Sequence, residues 1–497
     1  MELRYSPPPL TPPQHLGDRY MLVLAACLLG YALLGRAFAY VGVPPLFIGE
    51  VVLGLGLLLL VTRARALASL SGMPVLGLLL LLIAWGLVRT LPYVPEYGLN
   101  AFRDWMVLGY GLFAFVAAGL ILSRPERLRL LVERYRVFAV VMLALVWAVY
   151  IAFKVFEQSL PWIPWAPGAA RVVEAKGGDI MVHISAIAAF VVLGLIRPTP
   201  LVVAALAANA GLIMVSNRGG MIAFVLTLAV AWALRPPTAH FGKLIFAFVF
   251  FLAAGLLVGP TVQIHGGTRS ISVEQLWTNL VSIVDQSDSA SLETTKTWRL
   301  AWWTRIVGYT VQGPYFWDGK GFGINLAVDD GFQTSDDAAL RSPHNGYMTI
   351  LARMGVPAFV VWLVLQGLWV LTMLSAWWEA RLLQQRTWMA VLAMLLCYWV
   401  AITVNAMFEV YLESPMGGIW LWVVVGTGLA AARLRRTRPD LFADADRARL
   451  GLPRLGLPVV RAIPSTPVPW HWGARTGDGA AGRPPVGLPS VGSRARR

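Results

Sequence analysis

The feature that most narrows what this chain can become is a train of apolar runs, each near the length of a membrane-crossing helix. Met21 to Leu34, Val51 to Val61, Val75 to Val88, Trp105 to Leu122 and Val391 to Ala406 each approach the roughly 20 residues that cross about 30 Å of hydrocarbon, and such runs recur along most of the chain. Hydrocarbon offers no partner to exposed backbone groups, so runs this long predict helices rather than the short alternating strands of a barrel. Hydrophobic residues make up 57% of the 497 residues and charged ones only 13%, well below the roughly one quarter charged of a soluble domain. The expected fold class is an all-α polytopic membrane protein.

About twelve spans are expected, at 21–43, 46–62, 74–91, 101–122, 135–153, 180–196, 200–216, 219–235, 243–259, 344–376, 388–407 and 414–432. Lys and Arg are retained on the cytoplasmic side. Arg63 and Arg65, the cluster Arg124 to Arg136, Arg197, Arg235 with Lys243, and Arg381 with Arg386 all fall on one side of this alternation. Both termini are then cytoplasmic, and the alternate connections face outward. The organisation that follows is a cytoplasmic segment 1–20, nine spans over 21–259, an extracytoplasmic loop subdomain 260–343, three spans over 344–432, and a tail 433–497. No small-residue cleavage site follows the first apolar run, so that run is expected to be retained. Cys27 and Cys397, the only cysteines, sit inside apolar runs, which excludes a disulfide framework or thiolate metal site.

The net charge of +15 is not spread evenly. Arg433 to Arg497 carries thirteen Arg and four Asp, +9 of the total, in a Pro- and Gly-rich sequence. Such a tail is expected to be disordered and to meet anionic lipid rather than nucleic acid. Against the usual bias, Arg103, Arg171, Lys176, Arg218, Arg299, Arg305, Lys320 and Arg341 fall on the outer side. The insertion before Pro343 is also longer than an ordinary connection, which marks a functional lid or small subdomain. Trp298, Trp302, Trp303 and Ile306 within it predict a helix at the membrane surface.

Arg218 stands in Ser216-Asn217-Arg218-Gly219-Gly220 between two short apolar runs. Snorkelling to lipid headgroups would explain it; so would an anion clamp, since guanidinium is a planar fork suited to phosphate and the glycines permit close backbone approach. Arg299 on the insertion helix could reach the same vestibule, while Arg103 beside Asp104 reads equally as a local ion pair. His344, where the insertion ends and a span begins, could take a proton from an attacking hydroxyl or simply cap a helix. Glu409 and Glu413 would share one helix face and could orient His344 or an arginine. Asp329, Asp330, Asp336 and Asp337 lack regular ligand spacing and read as solvated loop. No P-loop, dinucleotide fingerprint, HExxH or CxxC occurs, so nucleotide-driven chemistry is not expected.

Four stretches together resemble the O-antigen ligase and polymerase superfamily of bacterial membrane glycosyltransferases. They are Ser216 to Gly220; Trp298-Arg299 ahead of Gly319-Lys320-Gly321-Phe322-Gly323; Ser342-Pro343-His344-Asn345-Gly346-Tyr347 running into Gly355-Val356-Pro357; and Phe408 to Pro415 followed by Gly417 to Gly426. The resemblance implies transfer of a glycan from a polyprenyl (undecaprenyl) pyrophosphate carrier to an acceptor hydroxyl, such as one on lipid A core, at the outer face of the inner membrane. It implies no cofactor, no metal and no nucleic-acid partner. It places the pyrophosphate on Arg218 and Arg299 and the general base at His344, with Arg103, Arg341, Glu409 and Glu413 as possible support. A polymerase joining carrier-linked repeats shares this pattern. A twelve-helix transporter shares the topology, but the two halves show no convincing internal repeat.

Overall fold

The computed structural model describes residues 15–166, 170–214, 217–237, 290–334 and 340–449, with backbone alone for 290–296 and 447–449. These residues lie within the larger of two units, Met1–Pro453. They form α1 (Leu16–Leu34), α2 (Ile48–Val61), α3 (Pro74–Thr90), α4 (Val94–Tyr97), α5 (Leu99–Gly109), α6 (Leu112–Ser123), α7 (Glu126–Phe156), α8 (Gly177–Val192), α9 (Pro200–Met214), α10 (Arg218–Leu234), α11 (Ala290–Val311), α12 (Leu326–Asp329), α13 (Gly346–Leu382), α14 (Arg386–Asn405), α15 (Pro415–Thr437) and α16 (Ala443–Arg449). A two-residue hairpin, Gly42–Val43 with Leu46–Phe47, is the sheet among the described residues.

Six of these helices are long and apolar enough to cross a membrane, and eight if each of two bent pairs counts as one span. One pair is α2 with a short helical turn at Ala64–Leu70, the other is α5 with α6. α8, α9 and α10 are apolar but shorter. Eleven of the expected runs are thus helical, and the remaining one, 243–259, lies outside the described residues. The first helix ends earlier than expected. Gly35 takes φ 60 and closes α1 at Leu34, and the rest of the 21–43 run becomes a helical turn and the hairpin. Residues from 433 onward, expected as a disordered tail, are helical to Thr437 and again in α16. There Asp446 accepts hydrogen bonds from the Thr387 backbone N–H (2.9 Å) and hydroxyl (2.7 Å).

α14 and α15 bury residues on nearly every face, whereas Leu55, Leu58, Leu80, Leu81, Trp147 and Leu371 lie on the outside of the bundle, as the lipid-facing sides of peripheral spans should. Tryptophan indoles tie the core helices to one another: Trp369 donates to the Val425 carbonyl, Trp377 to Leu234 and Trp420 to Leu28. A buried indole N–H needs such a partner, so each large ring also fixes a helix–helix register.

Ion pairs join segments far apart in sequence. Asp18 pairs with Arg124 and Arg127, Glu379 with Arg435 and Arg436, Arg36 with Glu174, Arg89 with Asp318 and Asp104 with Arg341.

α11 packs against the start of α13. Trp302 and Ile306 are fully buried there, so one face of α11 is packed against protein. Beyond it the loop of Gly319, Gly321 and Gly323, with φ of 61, 78 and 107, runs along a break in α13 at Gly355, φ 76. Lys320 N–H donates to the Ala352 carbonyl and Val356 N–H to the Phe316 carbonyl. A Cβ at Gly355 would lie 2.5 Å from the Phe316 oxygen, and one at Gly319 2.3 Å from the Arg353 carbonyl carbon. The two glycine motifs are therefore halves of one contact.

Candidate functional site

α13 begins where it does because the Asn345 side chain accepts hydrogen bonds from the Tyr347 and Met348 backbone N–H groups at 2.9 and 3.2 Å, as an N-cap. His344, just outside that cap, has φ 53, a left-handed conformation that costs a side-chain-bearing residue energy. It is held from both sides. Trp303 donates its indole N–H to the Pro343 carbonyl at 2.9 Å, and Gly346 N–H donates to the Ala406 carbonyl at 2.8 Å. The Trp298 ring lies edge-on to the imidazole, 6.3 Å between centroids. His344 Nδ1 is 3.9 Å from Glu409 Oε2, an ion-pair separation longer than a hydrogen bond.

Glu409 belongs to the connection between α14 and α15, and Phe408 beside it is the meeting point of the other segments. Arg299 donates from Nη1 to the Phe408 carbonyl at 2.9 Å. Arg218 opens α10, whose cap is the Asn217 side chain accepting from Gly220 N–H at 2.6 Å. A Cβ on the following Gly219 would be 2.9 Å from the Phe408 Cβ, so the arginine starts its helix directly against this residue. A Cβ on Gly178, at the start of α8, would be 2.9 Å from Asn405 Oδ1, 3.0 Å from Asn217 Nδ2 and 3.4 Å from Glu409 Cγ. The starts of α8, α10 and α13, the helix α11 and the 406–414 connection thus converge on Phe408-Glu409. Burial works against ionisation of Glu409, but His344 together with the charges of Lys176 and Arg299 holds its carboxyl below the usual range. The Glu409 carboxylate is thus ionised beside the His344 imidazole, with Lys176 and Arg299 favouring its charge.

Arg299, His344 and Glu409 are brought together, and the backbone at Arg218 adjoins them through Gly219 and Phe408; the other candidates are placed elsewhere. Arg103 is exposed. Arg341 donates to Asp104 Oδ2 and to the Gly323 carbonyl, each at 2.8 Å, and Arg353 pairs with the same carboxylate at 3.0 Å, so Arg341 braces the glycine loop. Glu413 faces Ser342 and Thr349, and burial pushes its carboxyl up. Asp330 is not solvated loop: it is buried and accepts from Lys320 Nζ at 2.5 Å and from the Trp302 indole N–H at 2.7 Å. Asp329 also accepts from Lys320 Nζ, at 2.5 Å, but is exposed, as expected. Asp336 and Asp337 lie outside the described residues, as does His265. His183 is buried against the Tyr398 hydroxyl at 2.6 Å. Among the described residues no three His, Cys, Asp or Glu side chains gather as metal ligands.

Sequence reasoning passed over Asp179, Asn405 and Phe408, and noted Lys176 only as a misplaced positive charge. An acid in the first turn of an apolar helix, Gly177-Gly178-Asp179, was the signal available for one of them.

Residues 200–363 match the family model described as O-antigen ligase. The matched segment contains Arg218, Arg299 and His344 and stops short of Glu409. The resemblance to the O-antigen ligase and polymerase superfamily is borne out over that segment. No curated protein matches the chain.

Proposed function

We propose, from the match of residues 200–363 to the O-antigen ligase family model, that this chain transfers a glycan from a polyprenyl pyrophosphate carrier to an acceptor hydroxyl. The acceptor in this reading is a lipid A core sugar, and the reaction runs without a metal at the outer face of a bacterial inner membrane, both termini being cytoplasmic. The observation that carries the reading is the convergence on Phe408-Glu409: two arginines and a histidine from three separated stretches of sequence meet around one connection.

In this reading His344 takes the proton of the acceptor hydroxyl as its oxygen bonds to the anomeric carbon. The bond from that carbon to the pyrophosphate oxygen breaks, and the polyprenyl pyrophosphate leaves with the electron pair. Arg218 and Arg299 face the charge that grows on the leaving oxygens, which is where preorganised donors accelerate such a step. Arg299 is fixed for that task by the Phe408 carbonyl. Glu409 steadies the imidazolium that forms at His344 and leaves the other ring nitrogen for the acceptor. Trp298 beside the imidazole narrows water access.

The test is a detergent-solubilised assay with polyprenyl-pyrophosphate glycan and acceptor, which a transporter would not support without a sealed vesicle. His344→Ala and Arg218→Ala should each lower transfer by at least about a hundredfold while the protein still accumulates; normal transfer by both would end this site assignment. A product linked to acceptor marks a ligase, and a ladder still on the carrier marks a polymerase.

A further inference from the structure

One buried acid at the site has no part in that mechanism. Asp179 lies in the first turn of α8, one residue ahead of the expected span at 180–196, and is 8% exposed. Among the described residues no cation makes an ion pair with it. Its Oδ1 accepts from Asn405 Nδ2 at 3.5 Å. Asn405 ends α14, and its backbone carbonyl accepts the N–H of Glu409 at 3.1 Å. One side-chain amide therefore joins the α8 carboxyl to the connection that carries Glu409. Gly178 sits so close to the Asn405 and Glu409 side chains that a Cβ there would meet Asn405 Oδ1 at 2.9 Å and force it to shift.

Taking the glycosyl-transfer reading as its basis, we propose that Asp179 is a positioning residue for that reaction. Bridged to the Glu409 connection by Asn405, it supplies a second negative charge that, with Glu409, steadies the positive charge His344 acquires.

The charged surroundings give the pair two different characters. Lys176 and Glu174 lie on the segment leading into α8, Arg218 at the start of α10, Arg299 on α11, His344 before α13, and Glu409 with the Tyr411 phenol on the connection after α14. Burial pushes the Asp179 carboxyl up to about 7, Lys176 and Asn405 pulling it back and Glu409 adding to the rise. Glu409 is held low by His344, Lys176 and Arg299. Neighbouring acids whose environments separate them in this way divide the work between a fixed charge and a titrating one. Below neutrality Asp179 carries its proton and offers His344 nothing; above it the carboxylate favours the imidazolium.

Two measurements test this. In the transfer assay, Asp179→Asn keeps the Asn405 bridge and removes the charge. Its kcat above pH 7 should fall about tenfold, with KM for the carrier-linked donor within about twofold of wild type. The acid limb of log kcat should exceed a slope of one in wild type, where two groups titrate, and return to one in the variant. Infrared difference spectra of the solubilised protein between pH 6 and 8 should show a protonated carboxylic acid losing its proton, a band missing from Asp179→Asn. Asn405→Ala, which breaks the bridge and leaves both acids, should lower kcat and keep the band.

Parallel pH profiles for wild type and Asp179→Asn, or identical infrared spectra, would overturn the proposal. Absence of transfer by wild type at every pH would instead count against the glycosyl-transfer reading, with the infrared band still deciding whether Asp179 titrates.

Discussion

His344 occupies a backbone conformation that only the surrounding contacts can hold, and residues kept that way cluster where chemistry is done. Its flanking carbonyl and N–H are engaged by Trp303 and Ala406, so backbone geometry places the imidazole 3.9 Å from the Glu409 carboxylate. Glu409→Gln preserves shape and removes the charge. It should lower kcat by about a hundredfold with little change in donor KM, measured by transfer kinetics. The same carboxylate links pH to stability. A group whose folded pKa is depressed contributes stability that is present above its unfolded value and lost as pH falls through the folded one. Wild type should therefore lose thermal stability more steeply than Glu409→Gln below roughly pH 4, in detergent melts; parallel curves would show that the pair contributes nothing. Arg218 and His344 were legible as candidates because each stands beside glycine, asparagine or proline at the edge of an apolar run. Asp179 and Asn405 were not, since their meaning comes from a contact across 226 residues of sequence.

Among the elements, the break in α13 and the loop packed along it meet backbone to backbone. Gly355 and the three loop glycines were visible as motifs, but their pairing was not, because the complementarity is between two backbones rather than two side-chain patterns. Gly355→Ala meets both a positive φ and the Phe316 carbonyl and should destabilise the protein by about 1 to 3 kcal/mol, read as a lower melting temperature. Arg341 belongs to the same element. Removing it leaves Asp104 with Arg353 and costs the Gly323 carbonyl its partner. Arg341→Ala should therefore lower the yield of folded protein, with kcat per folded molecule within about threefold of wild type; a hundredfold loss of kcat at full stability would move Arg341 into the chemistry.

At the scale of the whole molecule, hydropathy made the helical bundle legible, because it reflects the solvent each segment meets; the alternation read from charge bias is a separate expectation. The exact spans were less legible. Three of the apolar helices are short and two more are bent, and length alone does not say how such pieces cross a bilayer. The side to which each ion-paired end belongs can be tested directly. Cys27 and Cys397 are buried, which leaves a silent background for single cysteines introduced by substitution. Ser123→Cys should react with an impermeant maleimide only after the membrane is opened, and Tyr315→Cys in sealed right-side-out vesicles; the reverse pattern would invert the expected topology and place the Phe408-Glu409 convergence in the cytoplasm.

The Trp303 indole that grips the Pro343 carbonyl ties two parts of the chain that are far apart in sequence. The helix whose Trp302 and Ile306 pack against the start of α13 is also the helix that holds the backbone just ahead of His344. A shift of α11 large enough to sever that hydrogen bond would therefore carry through to the left-handed turn at His344, so the packing of one helix and the posture of one imidazole are a single mechanical unit.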